Sequence, residues 1–108
     1  MANTLHYSPQ ALKDLDEIFD YIFTDKQNPI AARNTIEGIK NSIAELKTLD
    51  NIGVKVRLPG DLETPYRFIQ YNNYLSFYRQ IEKDIYIDRI IYGKRDYIKL
   101  LFCQSTFA

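Results

Sequence analysis

Apolar residues at Ala11, Leu12, Leu15, Ile18, Phe19 and Ile22 draw one stripe on a helix. Ser8-Pro9 supplies an N-cap followed by proline at the first helical position. The opposite face carries Lys13, Asp14, Asp16, Glu17 and Asp20, and such a charged run reads as a solvated surface. Asn28-Pro29 starts a second helix, with its stripe at Ala32, Ile36, Ile39, Ile43 and Leu46. The short link predicts an antiparallel helical hairpin. After Gly53 the period changes to two. Val54–Leu58 alternates as a short strand, Pro59-Gly60 turns, and the segment to Pro65 reads as an exposed loop. Tyr66–Tyr71, the pair Asn72-Asn73, and Tyr74–Ile81 form a hairpin signal. Glu82–Asp84 makes another turn, and Ile85–Tyr92 is the third strand of a meander. Thr4–Tyr7 suits a short first strand, and Arg95–Phe102 a final helix.

The expected class is α+β. An N-terminal strand precedes a two-helix hairpin packed on a sheet of three to five mainly antiparallel strands, with a short C-terminal helix. The hairpin covers one sheet face, and the other is left partly open as a place for a ligand or partner. Residues 1–108 read as one domain with a core over about 4–102 and a tail from 103 to 108.

The composition, 45% hydrophobic and 26% charged, is that of a folded soluble protein. No apolar run approaches the roughly 20 residues of a membrane span, and no secretory signal is visible at the N-terminus. A cytoplasmic protein is the expectation. The single Cys103 excludes an internal disulfide, and neither a metal site nor a cofactor is expected. Net charge is zero, which argues against binding by non-specific phosphate contacts. The charge is nonetheless polarised. Residues 1–54 hold 5 basic and 8 acidic side chains, and residues 55–108 hold 9 basic and 6 acidic. An anionic partner would meet the C-terminal half.

That half carries the candidate chemistry. Lys55 and Arg57 lie two apart on one strand, Arg67 follows on the next, Arg79 and Arg89 on later strands, and Lys94-Arg95 just beyond. Seven of the nine tyrosines fall between 66 and 97. Such a set can hold a phosphate backbone and stack bases. With a tyrosine or lysine of lowered pKa it can also cleave RNA without histidine, arginines stabilising the pentavalent phosphate. The same residues can equally be solvated cross-strand pairs, or a surface for an acidic protein segment. His6, the only histidine, offers little for a metal site or a catalytic triad.

Several segments, in this order and spacing, resemble the RelE/ParE superfamily of toxins from bacterial type II toxin–antitoxin modules. They are Tyr7–Ile22, Asn28–Ala32, Tyr66-Arg67, Tyr74–Arg79 and Ile87–Asp96. The resemblance implies a growth-inhibiting protein neutralised by a small cognate antitoxin, in modules of the plasmid-stabilisation kind. RelE-like members are mRNA interferases that cut mRNA in the ribosome without metal. By that resemblance Lys55, Arg57, Arg67 and Arg95 would hold and stabilise phosphate, with Tyr92 or Tyr97 nearest to the tyrosine or histidine such enzymes use. ParE-like members inhibit DNA gyrase and are not enzymes. The helical hairpin, with Asp14–Ile22 and the Pro29–Ala32 segment, and Arg89 followed by Ile90-Ile91, look closer to the ParE-like branch. An inert relative that binds only its antitoxin is the third reading.

Overall fold

A computed structural model of the chain describes residues 2–49, 52–58 and 60–93. The sheet has five strands: β1 (Thr4–Tyr7), β2 (Val54–Leu58), β3 (Leu62–Tyr71), β4 (Tyr74–Ile81) and β5 (Asp84–Tyr92). Two helices, α1 (Pro9–Asp20) and α2 (Pro29–Ala44), pack on it. The strand order is β1-β5-β4-β3-β2. Neighbours from β2 to β5 are antiparallel, and β1 lies parallel to β5, so the sheet is mixed. The two-layer α+β expectation holds. The expected C-terminal helix over 95–102 lies outside the described residues.

Local chemistry starts both helices. Ser8 Oγ accepts from the Ala11 N–H at 2.9 Å, and Asn28 Oδ1 from the Ala31 N–H at 3.0 Å, each with proline following. Past Asp20 the chain widens into five residues of π-helix, Tyr21–Asp25, before turning into α2. Asn72 takes the positive φ (52°) that the β3–β4 turn requires.

The core between helices and sheet holds Ala11, Leu15, Ile39, Ile43, Leu46, Tyr78, Ile85, Ile87 and Ile90. At Gly38, α2 approaches β3 so closely that a Cβ would run into the Tyr71 ring. The face away from the helices is not bare. It has its own buried cluster of Val56, Leu75, Phe77 and Ile91, with Tyr66 and Phe68 against it. Leu12, expected in the α1 stripe, is 50% exposed, because the helix turns Ala11 and Leu15 to the sheet instead.

Two expectations need correction. The loop before Pro65 is strand: β3 begins at Leu62, where it pairs with Leu58. Between Lys55↔Arg67 and Arg57↔Glu63 the register shifts, so Thr64, Pro65 and Tyr66 all lie opposite Val56. Pro65 sits in this bulge, where no ladder donor is needed. Thr64 Oγ1 fills the gap, donating to the Val56 carbonyl at 2.7 Å and accepting from the Tyr66 N–H at 3.2 Å. The second correction is Asp14, which is 5% exposed rather than solvated.

Candidate functional site

Arg89 donates to both oxygens of Asp14, at 2.9 Å from Nε and 3.3 Å from Nη2. The Ile90 N–H donates to the same carboxylate at 2.9 Å, and Gln10 Nε2 at 3.2 Å. A buried carboxylate needs such partners. This pair ties the middle of α1 to the far half of β5.

Above it opens a groove of about 530 Å³ between α1, the π-helical turn and the ends of β4 and β5. Ile18, Tyr21, Tyr74 and Tyr92 give it an apolar and aromatic lining, with Glu17 and Lys26 at the polar positions. Tyr74 and Tyr92 are directly opposed across β4 and β5, their rings 5.6 Å apart. Lys26 Nζ sits 5.7 Å from the Tyr21 ring centroid. Burial, with Tyr92 and Tyr21 nearby, pushes the Tyr74 pKa up.

The basic residues singled out from sequence lie elsewhere. Lys55 and Arg67 are opposed across β2 and β3 and share the face of Tyr78. Arg67 Nη1 donates to the Gly53 carbonyl at 2.9 Å, while the Gly53 N–H donates to the Tyr78 hydroxyl at 3.0 Å. A Cβ at Gly53 would lie 2.8 Å from the Phe68 carbonyl, so only glycine fits there. Lys55 Nζ is 3.7 Å from Glu63, and Arg57 pairs with Asp61 at 3.3 Å and Glu63 at 3.4 Å. Tyr92 is two strands away from Arg67 and five residues along β5 from Ile87, the partner of Tyr78. Tyr92 pairs with Tyr74, four residues along β4 from Tyr78, so strand spacing and rise place those backbones about 16 Å apart. The fold thus brings Lys55, Arg57 and Arg67 together and sets Tyr92 in the groove. Arg95 and Tyr97 lie outside the described residues.

A third cluster crosses the sheet on the face away from the helices. His6 Nε2 lies 2.9 Å from Asp84, and its ring stacks on Tyr86 at 4.9 Å. The Arg79 guanidinium covers Tyr86 at 5.3 Å and meets Asp88 at 2.6 Å. A hydrogen bond to Asp88 holds the Arg79 pKa above its ordinary value. Burial first, and Asp88 second, raise the Tyr66 pKa. Burial likewise raises those of Tyr7 and Tyr78. Each raised tyrosine pKa leaves less phenolate at neutral pH to act as a base. The Tyr86 ring already carries a partner from β1 and one from β4, so the row is a self-contained cross-strand ladder.

Sequence reasoning missed Asp14, the groove and this ladder. Asp14 had a signal: it stands three residues after Ala11 and four before Ile18, inside the apolar stripe. Among the described residues no cluster of three or more acidic, His or Cys side chains is placed to hold a metal. No helix among them is long and apolar enough to cross a membrane.

The fold is similar to that of several solved chains. The chain is similar to one in the chromosomal ParDE toxin–antitoxin system from P. aeruginosa, with TM-score 0.68 and 22% identity over 86% of this chain and 98% of that one. It is also similar in fold to a chain of the RelBE2 toxin–antitoxin complex from Mycobacterium tuberculosis (TM-score 0.55, 14% identity, 85% and 99% covered). A third likeness is to the E. coli DinJ-YafQ toxin–antitoxin complex (TM-score 0.51, 15% identity, 94% and 99% covered). No curated protein matches the sequence. The family described as ParE toxin of type II toxin-antitoxin system, parDE, matches residues 5–97. The chain therefore belongs to the ParE toxin family of the RelE/ParE superfamily.

Proposed function

We propose that this toxin arrests growth by binding DNA gyrase and that it does so without cutting RNA. The observation that carries this reading is where the candidates among the described residues, Lys55, Arg57, Arg67 and Tyr92, lie. A metal-independent ribonuclease needs a base, a charge on the phosphate and an acid converging on one bond. Lys55, Arg57 and Arg67 gather on β2 and β3, each with an oxygen partner, while the Tyr92 backbone stands about 16 Å from that of Arg67 by strand geometry. The tyrosines with shifted pKa values are shifted upward, against the direction a general base requires. Zero net charge also favours a protein target over ribosomal RNA. Membership of the ParE family supports the same choice.

The test is purified, antitoxin-free protein added to gyrase, ATP and plasmid. Stabilised DNA breaks or lost supercoiling are expected, and a heat-unfolded sample should give neither. A folded protein that arrests cells, leaves gyrase untouched and cuts ribosome-bound mRNA would replace this reading with the RelE-like one.

A further inference from the structure

We propose that the groove between α1 and the ends of β4 and β5 binds a small quaternary ammonium compound. Its cationic head lodges in the corner made by Tyr74 and Tyr92 and is balanced by Glu17. The ligand is a free solute, and the proposal stands whatever the toxin's target is.

Two rings form the corner. Tyr74 and Tyr92 oppose each other across β4 and β5, their centroids 5.6 Å apart and their planes inclined at 60°. Rings at that inclination are not stacked, so ring face remains for a third group. Burial first, then Tyr92 and Tyr21, raise the Tyr74 pKa, so the three phenols share one space. All three line the groove. Ring faces attract cations, and this molecule shows it twice. Lys26 Nζ lies 5.7 Å from the Tyr21 centroid, and the Arg79 guanidinium lies 5.3 Å from that of Tyr86. Tyr74 and Tyr92 carry no such cation among the described residues.

Charge and hydrogen bonding choose the kind of cation. Asp14 spends its oxygens on Arg89, the Ile90 N–H and Gln10, which leaves no acceptor site for a ligand. Glu17 is exposed and has no ion-pair partner among the described residues. The remaining walls, at Ile18, Ile22 and Ile91, are apolar. A primary ammonium would shed water and find one strong acceptor for its three N–H donors. A quaternary ammonium has no N–H to satisfy. It presents its charge through methyl groups, which suit ring faces and aliphatic walls alike. The groove, at about 530 Å³, has room for such a ligand. Lys26 limits the affinity, because it repels the ligand and holds the Tyr21 face.

An NMR titration of the free chain with choline tests this, at an ionic strength held constant with sodium chloride. The Tyr74 and Tyr92 signals should shift and saturate with a Kd on the order of 1 mM. Tyr86, whose ring is already taken by His6 and Arg79, should stay in place. The uncharged alcohol of the same shape, with carbon in place of nitrogen, should bind at least about tenfold more weakly. Tyr92→Leu should weaken choline binding about tenfold, with an unchanged circular dichroism spectrum. Two variants at exposed positions test the charges without touching the fold. Glu17→Gln should weaken binding about threefold, and Lys26→Met should tighten it about threefold. Equal binding of the uncharged alcohol would make the groove an apolar slot and overturn the proposal. So would a failure to saturate by about 50 mM choline, or indifference to both Glu17→Gln and Lys26→Met.

Discussion

The two edges of the sheet are built differently. β2, at one end, is five residues long and presents Lys55 and Arg57, paired to Glu63 and Asp61. Short length and charge are what keep an edge from recruiting another strand. At the other end, β5 runs beyond its partner β1, is uncharged from Ile90 to Tyr92, and borders an aromatic groove. One edge is guarded by charge, and the other is capped by Ser8 and Asp14 as far as Ile90. Lys55 and Arg57, which suggest phosphate chemistry in the sequence, are held in ion pairs at the β2 edge. Surface position alone does not separate the two roles; the partners and the neighbouring strand do.

The contrast is broken most severely at Asp14. Asp14→Ala leaves Arg89 buried without its carboxylate and the Ile90 N–H without an acceptor. The expected cost is about 3–5 kcal/mol, read as a lower urea midpoint. Asp61→Ala, at the β2 edge where the carboxylate side chain is 82% exposed, should change stability by less than about 1 kcal/mol. Equal losses at the two positions would erase the distinction.

A smaller effect is expected where β2 is anchored. Tyr78→Phe strips the Gly53 N–H of its acceptor and should cost about 1–3 kcal/mol at neutral pH. Tyr78 also makes stability depend on alkali. Burial raises its folded pKa above the ordinary 10.0. The folded state then holds a proton that the unfolded state releases, so stability is intact below pH 10 and falls as pH rises through the folded value. Tyr7, Tyr66 and Tyr74 add to the same slope. Denaturant titrations between pH 9 and pH 11 should show the decline, shallower in Tyr78→Phe.

The mildest change sharpens the comparison instead. Lys55→Ala with Arg57→Ala should leave stability within about 1 kcal/mol, because both ion pairs are exposed. Lys55→Ile with Arg57→Val removes the guards and should make the free chain self-associate through β2, visible by light scattering.

Much of this fold is legible in the sequence because its signals are local. Ser8-Pro9 and Asn28-Pro29 start helices through side chains three residues from their targets, and Asn72 supplies its own turn. The illegible parts depend on distant partners. Asp14 and Arg89 are 75 residues apart in sequence, so the stripe position of Asp14 hints at burial but not at its partner. Pro65 reads as a loop because a strand proline is tolerated only at an edge or bulge, and this bulge exists only once β2 and β3 are in register. The candidate site was legible as a set of charges but not as an arrangement. Strand order separates Tyr92 from Arg67, and strand order is a property of the whole sheet.

Under the proposed reading this toxin works by contact with gyrase and not by phosphate chemistry. The most direct measurement compares the native chain with the Lys55→Ala/Arg57→Ala variant, both free of antitoxin, in a gyrase DNA-break assay and a ribosome-programmed mRNA cleavage assay. DNA breaks at equal potency for both proteins and intact mRNA throughout are expected. Cleaved mRNA that depends on Lys55 and Arg57, with gyrase unaffected, would contradict that reading.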